Sequence, residues 1–348
     1  MCVFLGRSVI KTTPPAGRED YTILSGTHLR LITNFRAAMS QLQSSNSTFF
    51  ANDNRMVSGV LGVCCILGVP GNMAVLVVLR HRLRKDSFTL WMMLSLAVSD
   101  LLTLLTLPVW IQALQIGWNF GVGSCKLISY LVYWSLYTSV LCVTMLSIQR
   151  YIQVLYPKTW AGLKAKLKKV LLGFMWALGS ILASHALVQR EVRKENDGLQ
   201  HCLPHYRWEP QEKVATLVME SLLMFVIPFT ILASLYSSLQ RRVNRLVLFN
   251  SRRMTRLVSS IIVVFFIFSF PIHVNNFLVV IAIWTESESL QRFSELSRAF
   301  CGAMTFINSC VNPFLYAFSH RALHKRTLDL PSLGSKVNCV SETGSVTV

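Results

Sequence analysis

Charged residues are scarce in this sequence of 348 residues, and acidic residues are the scarcest. Lys and Arg number 34 but Asp and Glu only 16, so charged residues make up 14% of the chain, against about 25% in soluble domains. The 52% of hydrophobic residues excludes a disordered chain. The net charge of +18 does not indicate a nucleic-acid-binding domain, because basic residues would then line one face of a soluble fold. The composition predicts a membrane protein with several spans.

Motifs of enzymes and transporters are also missing. The sequence has no H-E-x-x-H zinc pattern, no G-x-S-x-G turn and no membrane carboxylate pair. It has no internal repeat of three or six spans, although common transporter folds show one. We therefore expect neither catalytic residues nor a required cofactor, and a transporter or channel is a remote alternative.

Seven stretches have the roughly 20 mostly apolar residues that a transmembrane helix needs. These spans, numbered one to seven, run near 57–80, 88–112, 125–153, 168–190, 214–240, 256–284 and 296–318. Span seven is the least apolar, because Arg298, Asn308 and Asn312 interrupt it. Polar residues in a span usually face the bundle interior. The predicted fold class is an all-α membrane protein with seven transmembrane helices.

Basic residues are distributed unevenly between the two membrane faces. The loops after spans one, three and five and the C-terminal tail carry 20 Lys and Arg and three acids, whereas the opposite face carries 14 and eleven. The positive-inside rule places the more basic face in the cytoplasm. We therefore expect residues 1–56 to be a disordered extracellular tail, residues 57–318 the seven-transmembrane domain, and residues 319–348 a cytoplasmic amphipathic helix and tail.

Two features of the predicted outer face agree with this orientation. Asn46 begins an Asn-Ser-Thr glycosylation sequon in the N-terminal tail. Cys125, at the outer end of span three, and Cys202, in the second outer loop, are the two cysteines in an oxidising, extracellular position. We expect a disulfide between them.

Polar residues, aromatic residues and prolines occupy particular places in the spans. In chain order they are Gly71-Asn72, Leu96–Asp100, Gln149–Tyr151, Trp176, Pro228, Tyr236, Pro271 and Asn312–Tyr316. Each motif alone is weak, but the ordered set resembles the rhodopsin-like G-protein-coupled receptor family over residues 57–326. The resemblance implies a multi-pass plasma-membrane receptor among membrane lipids, which activates a heterotrimeric G protein. A phosphorylated tail would recruit arrestin, and the alternative is an unmodified, disordered tail.

The resemblance gives a role to the acid of span two. A charged Asp100 near the middle of the bilayer would cost about 2.5–3.5 kcal/mol, so it needs partners. The family fold would bring Ser139, Asn308 and Asn312 near it and form an allosteric sodium site. The alternative is a protonated Asp100 in a network of hydrogen bonds.

A second implied cluster lies at the cytoplasmic end of the bundle. Arg150, Tyr236 and Tyr316 would rearrange as span six swings outward and opens a cleft for the G protein. Pro271 removes a backbone hydrogen bond from span six and so lets that helix bend.

Three residues depart from the family pattern. Gln149 stands where an acid usually precedes the arginine, so it can offer Arg150 a hydrogen bond but no ion pair. Ser269 stands where a tryptophan usually precedes the span-six proline, and span four shows Ala183-Ser184-His185 where a proline is common. We expect the first departure to loosen the resting state.

Four ionisable residues fall in the outer halves of spans four to seven: Arg190, Glu220, His273 and Arg298. A buried charge in a span is a functional residue by default. Two arginines and a histidine beside apolar walls would suit a carboxylate with an acyl chain. The alternative is that Arg190 and Arg298 extend into water and pair with Glu191 and Glu295. The expected apolar walls are Trp110, Tyr133, Ile272 and Phe277.

Short sequence segments indicate which receptors within the family the chain resembles. The segments similar to chemoattractant receptors are Gly68–Asn72, Gly117–Gly121 and Cys202–Tyr206. The surroundings of Glu220 and Arg298 resemble leukotriene B4 receptors, although Ser129 and Ile272 replace a histidine and a tyrosine found there. The resemblance implies a receptor for leukotriene B4 or a related hydroxy-fatty acid, signalling through an inhibitory-class G protein in chemotaxis or inflammation. A chemotactic-peptide receptor of the same fold is the alternative.

Overall fold

The computed structural model of the chain describes residues 54–81, 88–195, 198–243 and 252–328. The helices are α1 (Asn54–His81), α2 (Phe88–Leu105), α3 (Leu107–Ile116), α4 (Gly121–Leu155), α5 (Pro157–Gly162), α6 (Ala165–Ala183), α7 (His185–Gln189), α8 (Gln211–Ser221), α9 (Ile227–Val243), α10 (Arg252–Trp284) and α11 (Glu288–Leu328). A hairpin of strands β1 (Arg190–Lys194) and β2 (Gln200–Pro204) follows α7. Asn46 and nearly all of the expected extracellular tail lie outside the described residues.

Seven helical spans form the bundle, as predicted. Spans one, three, six and seven are α1, α4, α10 and α11, and the other three spans are each interrupted. In the described ranges, six of the seven are apolar and long enough to cross a membrane. The seventh, α11, carries the polar residues that made it the least apolar stretch. Because α11 runs through to Leu328, the expected amphipathic eighth helix is not set apart as an element and stays a prediction.

Prolines account for two of the three interruptions. In span two, Pro108 has no N–H to donate to the Leu104 carbonyl, and the helix breaks at Thr106. In span five, Pro228 follows a π-helical turn, Leu222–Val226, in which the Ile227 N–H bonds to the Leu222 carbonyl five residues back. Such turns often lie at functional sites, and this one directly follows Glu220 and Ser221.

Helix α4 is the centre of the bundle. Its 35 residues extend roughly 50 Å at 1.5 Å per residue, well beyond the apolar thickness of a bilayer. It packs against α2, α6, α7 and α9. One apolar cluster around Trp110, Trp118 and Tyr133 fills its outer half, and a second around Leu146 and Trp160 fills its inner half. The outer half is therefore held between several spans at once.

The β-hairpin is attached to the outer end of α4. The strands are antiparallel with Val192 opposite Cys202, and Cys202 forms the predicted disulfide with Cys125, with Cα atoms 5.6 Å apart. Trp118 donates its backbone N–H to the Gln200 carbonyl at 2.6 Å. Gly117 has φ +83°, and a Cβ there would lie 3.0 Å from the same carbonyl oxygen. Only glycine suits this approach of loop and hairpin.

Candidate functional site

The four ionisable residues expected in the outer halves of the spans are all buried. Their exposed fractions are 4% for Arg190, 3% for Glu220, 5% for His273 and 7% for Arg298. This burial contradicts the alternative in which both arginines extend into water. Glu191, the partner that alternative gave to Arg190, instead pairs with Arg193, with Nε and Oε2 2.9 Å apart.

Arg190 is the first residue of strand β1, not the last residue of span four as the sequence predicted. Span four ends at Gln189, and the hairpin then turns the Arg190 side chain into the protein. Its guanidinium carbon lies 6.0 Å from the centre of the Tyr133 ring, within the range of a cation–π contact. Its Nη1 also approaches the Cys202 carbonyl at 3.5 Å. The disulfide and the hairpin thus position this cation.

His185 belongs to the same group, although the sequence indicated it only by the absence of a proline. Its Nδ1 donates to the Leu182 carbonyl at 2.8 Å, because a carbonyl can only accept. Its Nε2 faces the Glu220 carboxylate, 3.5 Å from Oε1, and its ring meets Tyr133 edge-on with centroids 4.6 Å apart. Tyr133 therefore lies between the Arg190 guanidinium and the His185–Glu220 pair.

His273 connects span six to span five. Its Nδ1 lies 3.3 Å from the Ser221 hydroxyl, which also accepts from the Asn276 amide at 3.3 Å. Glu220, the residue before Ser221, is close enough for its charge to act on His273. Glu220 and His273 therefore lie on the facing sides of spans five and six, linked through Ser221.

Arg298 lies among charged residues of spans five and seven. Its charge acts on Glu295 and on Lys213. The Gln291 amide donates to the Glu295 carboxylate at 3.4 Å. The Ser297 hydroxyl donates to the Asn275 side chain at 2.9 Å, which fixes this part of span seven against span six.

The charges of this outer region do not cancel. Arg190, Arg298, Lys213 and Arg292 are four cations, and Glu220, Glu295 and Glu209 are three acids, so an excess of one positive charge remains before either histidine is protonated. The expected walls Trp110, Tyr133 and Ile272 are buried, whereas Phe277 is 40% exposed and is not a buried wall. An apolar cleft with excess positive charge can bind an anion that carries a hydrophobic chain.

Asp100 lies in a second, wholly buried polar cluster. Its Oδ2 accepts from the Asn312 amide at 2.7 Å. The Oδ1 atoms of Asp100, Asn308 and Asn312 are buried and have no hydrogen-bond partner in the described ranges. Ser139 instead shares a 2.8 Å hydrogen bond with Ser99. Unpaired buried oxygens are costly, and oxygen atoms are the ligands that hard cations take, so the chemistry of the Asp100 carboxylate and of the two amides suits a cation such as sodium.

Of the third expected cluster, the structure describes the side chains of Arg150 and Tyr236, and these two are not in contact. Arg150 donates to Gln153 at 3.2 Å, and Tyr236 is 53% exposed. Tyr316 lies in α11, but its side chain is outside the described part of the structure. The hydrogen bond that Gln149 can offer is made elsewhere, because the buried Gln149 amide donates to the Thr89 hydroxyl at 2.5 Å. Within the described residues Arg150 has no acidic partner.

Comparison with known proteins agrees with these features. The family described as 7 transmembrane receptor (rhodopsin family) matches residues 71–316. Leukotriene B4 receptor 1 of Homo sapiens is 35% identical over 266 residues, which cover 74% of this chain and 75% of that receptor. The Mus musculus receptor of the same name is 32% identical over 82% of this chain and 81% of its own length. C5a anaphylatoxin chemotactic receptor 1 of Cavia porcellus is 27% identical over 79% of this chain and 80% of its own.

The family match covers more than half of the chain, and it includes the spans that carry Asp100, Arg150 and Pro271. The disulfide, the interrupted spans and the buried polar cluster are the physical features that accompany it. The chain belongs to the rhodopsin family of seven-transmembrane receptors, and it is a multi-pass protein of the plasma membrane.

Proposed function

We propose that this receptor binds a lipid mediator with a carboxylate, such as leukotriene B4 or a related hydroxy-fatty acid, in its outer cleft. The observation that carries the proposal is the buried Arg190, which strand β1 and the Cys125–Cys202 disulfide direct onto Tyr133. Arginine binds a carboxylate through two parallel hydrogen bonds. The two relatives named as leukotriene B4 receptors support the same ligand class.

The bound carboxylate contacts Arg190 or Arg298, and the acyl chain lies against Trp110, Tyr133 and Ile272. Glu220 is an acid, so it favours a hydrogen-bond donor on the ligand where the arginines favour an anion. Paired with a protonated His185, it contributes little net charge, and a carboxylate, which only accepts, can take a hydrogen bond from a ligand hydroxyl. A hydroxy-fatty acid supplies both groups.

The signal passes inward to an inhibitory-class G protein in chemotaxis or inflammation. The N-terminus is outside, so the loops after spans three and five face the G protein. A sodium ion held by Asp100, Asn308 and Asn312 stabilises the resting bundle, because it ties span two to span seven. Arg150, Tyr236 and Tyr316 come together only when span six moves outward.

A peptide ligand is the second candidate, because a relative is named as a C5a anaphylatoxin chemotactic receptor. Expressed receptor is tested against hydroxy-eicosanoids, their methyl esters and chemotactic peptides, with calcium and cyclic-AMP readouts. We expect free acids to activate at the lowest concentrations and pertussis toxin to abolish the response. A response to peptides alone would replace the lipid proposal.

A further inference from the structure

The segment that joins spans three and four is unusually basic. It carries five lysines, Lys158, Lys164, Lys166, Lys168 and Lys169. No Asp or Glu occurs anywhere between Asp100 and Glu191. Lys168 lies over the buried Trp160 ring, with its Nζ 5.2 Å from the centroid, while the other four lysines are exposed. We call these four residues the lysine surface.

The start of helix α6 adds to this positive charge. The N-cap position is Lys164, no side chain caps the helix, and the first turn contains no acid. Helices usually begin with Ser, Thr, Asp or Asn and favour acids in the first turn, because the backbone N–H groups there have no partner and the helix dipole is positive. Here the sequence places lysines instead, so no side chain of the first turn offsets the positive charge at this end of α6.

An apolar stripe runs from the lysine surface along α6. Leu167, Val170, Phe174 and Ile181 are all exposed. Their spacing of three, four and seven residues puts them on one face of the helix. Lys166 lies one turn before Val170, at the basic end of that face. In a membrane span, such an exposed apolar face meets acyl chains.

We propose that the lysine surface binds the headgroup of an anionic phospholipid of the cytoplasmic leaflet, whose acyl chains lie along this stripe. Clusters of four or more basic residues beside a transmembrane helix favour phosphoinositides, whose several phosphates match several lysines. A soluble anion would contact the lysines but not the apolar stripe. We assign a lipid because its headgroup and acyl chains would contact both. This inference rests on the proposed function only for the orientation of the bundle, which places the lysine surface at the cytoplasmic leaflet.

The test measures lipid binding to the full-length receptor, with neither agonist nor G protein present. Nanodiscs of phosphatidylcholine contain either phosphatidylinositol bisphosphate or phosphatidylserine at equal lipid charge, and co-purified lipid is counted by mass spectrometry. The triple variant Lys164→Gln/Lys166→Gln/Lys169→Gln is compared with Arg193→Gln/Lys194→Gln/Arg207→Gln, which removes the same charge from the outer loop. If the triple variant unfolds, the single variants Lys166→Gln and Lys166→Arg are compared with each other in the same lipid-binding measurement.

We expect phosphatidylinositol bisphosphate to be enriched over phosphatidylserine and the triple variant to lose at least about tenfold in that enrichment. The outer-loop control and Lys166→Arg should retain it, whereas Lys166→Gln should lose part. Equal losses in both triple variants, or none in either, would overturn the proposal. So would full competition by soluble inositol trisphosphate at the same concentration.

Discussion

At the scale of single residues, Asp100 is the clearest case of a buried charge that lacks enough partners. One carboxylate oxygen accepts from Asn312, but three acceptor oxygens of this cluster have no described partner. Replacing Asp100 with Asn keeps the shape of the side chain and removes the charge. We expect Asp100→Asn to abolish the effect of sodium on agonist affinity and to weaken signalling without unfolding the receptor.

The measurement is agonist affinity in sodium buffer and in a buffer of a larger organic cation at equal ionic strength. Thr103→Val is the matched control, because it removes a neighbouring buried hydroxyl that bonds to Ser135 and leaves the carboxylate intact. An equal response to sodium in wild type and Asp100→Asn would contradict the site.

Gln149 determines how firmly Arg150 is held in the resting state. Because Gln149 bonds to Thr89 and Arg150 has no described acid beside it, no ion pair restrains the arginine. We expect ligand-free signalling that Gln149→Asp reduces, since about 1.4 kcal/mol changes the ratio of active to inactive receptor tenfold. The measurement is basal suppression of cyclic AMP at matched surface expression.

Gln149→Asn is the control for this prediction. It has the length of Asp without the charge, and it shortens the side chain that reaches Thr89 in the same way. Basal signalling that falls equally in both variants would assign the effect to packing rather than to charge.

At the scale of elements, the hairpin depends on one covalent link. Cys125 and Cys202 are 77 residues apart in sequence, and closing such a loop is worth about 4 kcal/mol in the chain-entropy account. We expect Cys125→Ala and Cys202→Ala to cause the same loss of surface expression and ligand binding, with the double variant no worse. Cys142→Ala, at a buried free thiol, is the control. Normal expression and affinity in both single variants would show that the hairpin holds without the bond.

The contact between α4 and α6 depends on a glycine. A Cβ at Gly179 would lie 2.6 Å from Thr138 Oγ1 and 3.3 Å from the Thr138 backbone nitrogen. We expect Gly179→Ala to cost about 1–3 kcal/mol, as overpacking does, and to lower the thermal unfolding midpoint in detergent. Gly173→Ala, on the same helix with nothing within 4 Å of the added Cβ, should leave it unchanged or raise it. Equal midpoints for the two variants would contradict the tight contact.

At the scale of the whole molecule, hydropathy and topology were enough to predict the seven spans and the disulfide. A run of apolar residues is a local signal, and the order of spans decides which cysteines share a face. The place of Arg190 was not predictable in this way, because strand pairing with 200–204 depends on residues distant in sequence. The same holds for His185, whose role comes from contacts with Tyr133 and Glu220, and for the bond between Gln149 and Thr89.

The most direct test of the account compares a carboxylate ligand with its methyl ester on arginine variants. Arg190→Ala and Arg298→Ala remove buried cations, whereas Arg193→Ala and Arg292→Ala remove exposed ones. A hydrogen bond to a charged group is worth about 1.5–3 kcal/mol, or about 10–150-fold in affinity. We predict that the acid loses this affinity in the buried variants, that the ester loses much less, and that the exposed variants bind both as wild type does. If acid and ester lose equally, the arginines act only on the shape of the cleft, and the carboxylate account is wrong.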